Sequence, residues 1–147
     1  MRCVIQRVKE ASVIVENKEI SSIKKGLLIL LGVQVDDKEE DAINLAKKIP
    51  NLRIFERDEK FNDSLIDVKG EALVVSQFTL LGRTKKGLRP DFILAEKPER
   101  ASYLYKKFIE EISKYVPVKE GIFGAKMEIS LINDGPVTII MDTREKE

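Results

Sequence analysis

The sequence predicts a single α/β domain over residues 1–147, with two principal helices covering a strongly curved, barrel-like mixed sheet. Three observations predict it. About seven segments show strand composition or period-two alternation. One segment, Pro98 to Ile112, repeats apolar residues at the 3–4 spacing of a helix with one buried face. No repeat, low-complexity linker or shift of composition divides the chain, and 147 residues suit one core.

Residues 2–16 read as strand-rich, with Cys3, Ile5, Val13 and Val15 able to share a face and Glu10-Ala11 as a break. Asn17-Lys18 reads as a turn. The continuous apolar run Leu27 to Leu31 predicts a strand buried on both faces within Gly26–Val35. Asp37, followed three residues later by Glu40, has the pattern of a helix cap. The helix it opens is expected to bury Ala42, Ile43, Leu45, Ala46 and Ile49.

Arg53–Glu56 suggests a short strand and Arg57–Ser64 a polar loop, while Glu71–Leu80 is a strong strand. From Leu81 to Lys97 the chain turns basic and loop-like. Pro98 then suits the first turn of a helix with Ala101, Leu104, Tyr105, Phe108, Ile109 and Ile112 as its inner stripe. Two strands end the domain, 127–131 and 137–141, separated by an Asn133-Asp134-Gly135-Pro136 corner.

Composition excludes several chemistries. The chain has no histidine, so Ser-His-Asp and Cys-His catalysis, imidazole metal sites and a histidine base are absent. Its one cysteine cannot form an internal disulfide or supply a zinc cluster. Cys3 alternates with Ile5 and reads as small core, with a reactive thiol as the minor alternative. No metal or cofactor is expected. No apolar run approaches a bilayer span and the first residues do not form a cleavable signal, so a cytoplasmic protein is expected. A net charge of +1 means that a nucleic-acid partner needs a local basic patch.

Two segments could carry chemistry. Ser76-Gln77-Phe78-Thr79-Leu80 places hydroxyls and an amide where a buried strand emerges, although the residues alone favour a solvated strand end. Asn133-Asp134-Gly135-Pro136-Val137-Thr138 is a turn, and the residues alone favour a plain trans corner, since only about 5–6% of X-Pro bonds are cis. Lys85, Lys86 and Arg89 form a basic loop that is either solvated or a phosphate contact. The Gly82 to Gly87 spacing is not a P-loop, because Leu88-Arg89 follows where Lys and Ser or Thr are needed.

Taken in order and spacing, Arg2–Val8, the SQFTL and NDGPVT segments, Lys85-Lys86-Gly87 with Arg89-Pro90, and Gly121–Met127 resemble the D-aminoacyl-tRNA deacylase family along the whole chain. The resemblance implies that family's fold, a homodimer, and hydrolysis of D-aminoacyl-tRNA and mischarged glycyl-tRNA. It implies that Gly135 and Pro136, joined by a cis bond, enter the partner's pocket, with Arg7 bracing them. There, main-chain oxygens would hold the amino group of a D-residue and exclude an L side chain.

Ser76, Gln77, Phe78 and Thr79 would form the catalytic pocket, with Ala101, Phe123 and Met127 shaping it. Thr79 has no evident base, so the resemblance points to assistance from the terminal ribose 2′-hydroxyl and to an oxyanion site of backbone N–H groups. Lys85, Lys86 and Arg89 would meet phosphates of the tRNA. The main rival is a non-catalytic dimeric module that binds nucleic acid. Arg83, Asp91 and Glu120 depart from residues common in the family, all at the rim.

Overall fold

The computed structural model describes residues 1–145; the remainder of the expected 1–147 domain lies outside the described residues. Strand β1 (Arg2–Val15) runs unbroken through Glu10-Ala11, where a break was expected. Its irregularity falls one residue earlier: Val8 pairs with Asn133 and Glu10 with Ile132, so Lys9 is an extra residue against the last strand. A bulge preserves pairing on both sides, which is why the strand continues.

Around β1 gather β2 (Lys18–Ile23), β3 (Gly26–Gly32), β6 (Glu71–Ser76), β7 (Val118–Glu120) and β8 (Glu128–Asp142), forming a six-stranded sheet. Its path is β2-β1-β3-β6-β7, with β8 on the remaining side of β1. Pairs β3–β6 and β6–β7 are parallel and the others antiparallel, giving the expected mixed sheet. The sheet nearly closes on itself: the Ser21 hydroxyl on β2 donates to the Glu120 carbonyl on β7 at 3.0 Å.

The apolar run of β3 is buried on both faces because it separates two cores. Leu27, Ile29 and Leu31 face the helices, while Leu28 points into the barrel with Val8, Val13, Leu73 and Val75. Each such side chain contributes roughly 1.5–3 kcal/mol when fully buried. Helix α2 (Pro98–Ile112) buries Ala101, Leu104, Tyr105, Phe108 and Ile112, as its stripe predicts; Ile109 is half-buried.

Helix α1 (Glu39–Lys48) buries Ala42, Leu45 and Ala46, and Ile49 is buried in the 3₁₀ turn that follows. Ile43 is exposed, contrary to its expected inward place. The cap also moves. Lys38 occupies the N-cap position and its N–H donates to the Asp41 carboxylate at 2.8 Å. Asp37 is instead fully buried, accepting from the Met1 ammonium (2.8 Å), the Gln34 N–H (2.7 Å) and the Arg144 guanidinium (2.8 Å). A cap pattern and a buried ion pair look alike when the partners lie at the far end of the chain.

The segment expected as a short strand and polar loop forms a small hairpin, β4 (Phe55–Arg57) with β5 (Lys60–Asp63). Its turn residues Asp58 and Glu59 both take positive φ. Two further corrections concern the signature segments. Strand β6 ends at Ser76, short of the expected Leu80, and Phe78–Leu81 forms a 3₁₀ turn. Gly32 ends β3 at the same level, and a Cβ there would sit 2.9 Å from the Gln77 carbonyl, so the chain crosses over a position that only glycine leaves open.

Strand β8 continues through Asn133–Pro136, where two strands and a corner were expected. Pairing skips the corner: Gln6 pairs with Thr138 and Val8 with Asn133, so Asp134–Val137 bow out opposite Arg7 alone. No cis peptide bond occurs among the described residues, so the implied Gly135-Pro136 cis bond is not found. Gly135 instead takes a φ of +113° within the segment that bows out. No helix of the described residues is long and apolar enough to cross a membrane.

Candidate active site

A cavity of about 580 Å³ opens at the carboxyl ends of the parallel strands β3 and β6. That edge is where ligands commonly bind such sheets, and the volume suits a small molecule. Four stretches of chain wall it. Leu31, Val75 and Ser76 come from the strand ends, followed by Gln77 and Phe78 at the start of the 3₁₀ turn. Pro98, Ala101 and Tyr105 come from α2, Phe123 and Met127 from the loop before β8, and Phe92 to Lys97 supply the last wall.

Each wall has a local reason. Ser76 is the last residue paired with β3, and the next N–H, of Gln77, donates to the Leu31 carbonyl at 2.8 Å. The chain then tightens, and the first bond of the turn runs from the Leu80 N–H to the Gln77 carbonyl at 3.2 Å. The N–H groups of Phe78 and Thr79 precede that bond and have no partner inside the turn. The Gln77 side-chain amide contacts the Thr79 hydroxyl. Thr79 is exposed and does not line the cavity, unlike its three predecessors.

The wall from α2 is fixed by Tyr105, whose hydroxyl donates to the Val74 carbonyl at 3.1 Å. Burial pushes its phenol pKa above the ordinary value, so it remains a neutral donor. The Phe123 ring packs on Tyr105 with centroids 5.7 Å apart, tilted by 59°. Phe78 and Phe92 meet edge to face at 5.2 Å, and both remain open to solvent at the rim. Cys3 lies in the helix-facing core, and burial pushes its thiol up to about 12.

Of the residues singled out in the sequence, Ser76, Gln77, Phe78, Ala101, Phe123 and Met127 therefore share one cavity. Arg7, Gly135 and Pro136 do not line it. They form a separate cluster on the outer side of β1. Arg7 donates to the Ile54 carbonyl at 2.8 Å and to the Asp134 carbonyl at 3.1 Å, and lies over the Phe55 ring. A Cβ on Gly135 would collide with the Arg7 guanidinium, so the arginine packs flat under the corner. Gly135 and Pro136 are exposed.

Lys85, Lys86 and Arg89 are exposed on a loop that joins the cavity wall at Phe92. Its base is closed by paired backbone bonds between Arg83 and Asp91, 2.9 and 3.0 Å, and by their ion pair at 3.0 Å. Two of the three rim positions that depart from the expected pattern thus meet each other. Sequence reasoning missed the wall from Phe92 to Lys97, with Glu96 and Lys97 as its charged members. The only signal was position: a helix starting at Pro98 must place its first turn against the strand ends.

Comparison with known proteins gives this arrangement a family. The family model for D-Tyr-tRNA(Tyr) deacylase matches residues 4–142. The chain is 55% identical over 146 residues to a D-aminoacyl-tRNA deacylase of Sulfurihydrogenibium sp. (strain YO3AOP1), covering 99% of both chains. It is 57% identical over 145 residues to a D-aminoacyl-tRNA deacylase of Persephonella marina (strain DSM 14350 / EX-H1), covering 98% of this chain and 99% of that one.

Among solved structures, it matches a c-Myc DNA unwinding element binding protein with TM-score 0.93 and 41% identity, over 99% of this chain and 100% of the other. A probable eukaryotic D-amino acid tRNA deacylase shares the fold, with TM-score 0.81 at 18% identity over 95% and 97% of the two chains. The fold they share is an α/β domain with a nearly closed, barrel-like mixed sheet and two helices. The chain belongs to the D-Tyr-tRNA(Tyr) deacylase family.

Proposed function

We propose that the protein hydrolyses the ester of D-aminoacyl-tRNA, releasing free amino acid and tRNA, and clears glycine mischarged to tRNA by the same route. The observation that carries this is the gathering of Ser76, Gln77, Phe78, Ala101, Phe123 and Met127 around one cavity in a chain of this family. The apolar walls suit the terminal adenine, and the Ser76–Phe78 side suits the ester.

The protein acts as a homodimer in the cytoplasm, where charged tRNA is found. Among the described residues the outer edge of β8 pairs with no strand, and Ile132 and Ile140 of β8 are exposed. The Gly135-Pro136 corner stands outside its own cavity and is available to the cavity of a second copy. Its main-chain oxygens hold the ammonium of a D-residue and leave no space for an L side chain; glycine passes because it has none. The Arg7 guanidinium, bonded to the Asp134 carbonyl, braces the corner.

In the hydrolytic step, water adds to the ester carbonyl carbon and the ribose oxygen leaves as the hydroxyl. The 2′-hydroxyl of the terminal ribose assists proton transfer, and the N–H groups of Phe78 and Thr79 stabilise the oxyanion. Neither histidine nor an activated Thr79 is available for a covalent route. Lys85, Lys86 and Arg89 hold phosphates of the acceptor stem.

Hydrolysis of D-Tyr-tRNA, Gly-tRNA and L-Tyr-tRNA in parallel tests this. The first two are expected to be cleaved and the third spared; equal cleavage of both tyrosyl esters would end the chiral mechanism. The likeness to a c-Myc DNA unwinding element binding protein favours a second reading, a dimeric module that binds nucleic acid without cleaving it. Binding of charged tRNA with no amino acid released would select that alternative.

A further inference from the structure

We propose that Lys97 is a phosphate-binding residue of this site, taking the phosphodiester that joins the terminal adenosine to the rest of the tRNA. The inference rests on the deacylase function proposed above and extends it to a residue that neither signature segment contains. Three observations support it.

The first is the charge inventory of the cavity. Of the described residues that line it, Lys97 is the sole cation and Glu96 the sole carboxylate. The second is how these two are disposed. Glu96 is half-buried and committed: its carboxylate accepts from the Lys97 backbone N–H at 2.9 Å and lies 3.7 Å from the Arg100 guanidinium. Lys97 is exposed where it lines the cavity, so its side chain meets solvent at that wall. Its carboxylate neighbour is engaged by the backbone and by Arg100.

The third is the shape of the ligand. An aminoacyl-adenosine that fills an apolar cavity brings one anionic group with it, the 5′-phosphate, beside the ammonium of the amino acid, and the phosphate must remain at the opening. A flexible ammonium at the mouth of an apolar cavity suits that role, since lysine meets a phosphate as a point charge without needing a fixed fork. The neighbouring helix adds no competing acid inside the cavity, because its lining members there are Pro98, Ala101 and Tyr105.

The experiment compares two small substrates, the D-tyrosyl ester of adenosine and that of adenosine 5′-phosphate, alongside D-Tyr-tRNA. The wild type is expected to prefer the phosphorylated ester about fivefold in kcat/KM, through KM. Lys97→Gln should erase that preference by raising KM for the phosphorylated ester, and Lys97→Arg should keep it. Equal treatment of the two esters by the wild type, or a preference that survives Lys97→Gln, overturns the inference while cleavage of D-Tyr-tRNA leaves the proposed function standing. Absence of cleavage of D-Tyr-tRNA itself removes both.

Discussion

The Arg7 guanidinium donates to the main-chain carbonyl of Asp134 at 3.1 Å, tying the first strand to the base of the exposed Gly135-Pro136 corner. The same side chain reaches the Ile54 carbonyl at 2.8 Å. One planar group therefore holds two loops that are distant in sequence. Arg7→Lys keeps the charge and loses the fork. Cleavage of D-Tyr-tRNA is expected to fall about tenfold, with weaker rejection of L-Tyr-tRNA, because a small displacement of a positioning group is costly. Rates on both esters, with circular dichroism to establish folding, check this.

Thr79→Ala should leave kcat/KM within about threefold of wild type, whereas loss of a true nucleophile costs several orders of magnitude. The hydroxyl is exposed, lies off the cavity wall and contacts the Gln77 amide. Initial rates at substrate concentrations well below KM are the measurement. A near-complete loss with binding intact would restore covalent catalysis.

Asp37→Ala should destabilise the fold by about 3–5 kcal/mol, the usual cost of removing one member of a buried ion pair. It strands the Met1 ammonium, the Gln34 N–H and part of the Arg144 guanidinium at once. Urea unfolding gives the value. A loss under about 1 kcal/mol would mean that the cluster is solvated.

Neutralising Lys85 and Lys86 together should weaken tRNA binding and reduce the slope of log affinity against log salt by roughly 1 to 2. Breaking the Arg83–Asp91 pair by Asp91→Asn leaves those charges present and loosens the base of their loop. It should weaken binding less and change the slope little. Titrations at several salt concentrations separate the two effects.

Stability should fall as pH rises above 9. Burial raises the Cys3 thiol from 9.0 to about 12 in the folded protein. The unfolded chain therefore releases that proton first, so the stabilising contribution is complete below pH 9 and is lost on the way to pH 12. The slope from one such group is at most about 1.4 kcal/mol per pH unit. Tyr105, raised in the same direction by burial, adds to it from its ordinary value of 10.0 upward. Cys3→Ala should shallow the alkaline limb of a stability-against-pH curve.

What the sequence discloses is uneven, and the reasons are physical. The α2 stripe from Ala101 to Ile112 was legible because a helix facing one core imposes its period on neighbouring residues. The burial of β3 was legible in the run Leu27 to Leu31 for the same local reason, although one core was expected and the strand separates two. Asp37 was not, since its partners are fixed by the closure of the whole fold. Nor was the continuity of β8 through Asn133-Asp134-Gly135-Pro136: turn chemistry is visible locally, whereas resumed pairing with Gln6 depends on register. Ser76 to Phe78 were found as cavity residues by resemblance, but Lys97 carries no local mark of its position.

The cavity wall draws on residues as far apart as Leu31 and Ile129, and β3, β6, α2 and β8 all contribute. No excised fragment containing only one signature segment can therefore retain it. A small molecule seated there bridges elements that must all be docked, so its affinity acts as a gauge of global folding. Binding and cooperative melting should rise and fall together across any series of core variants.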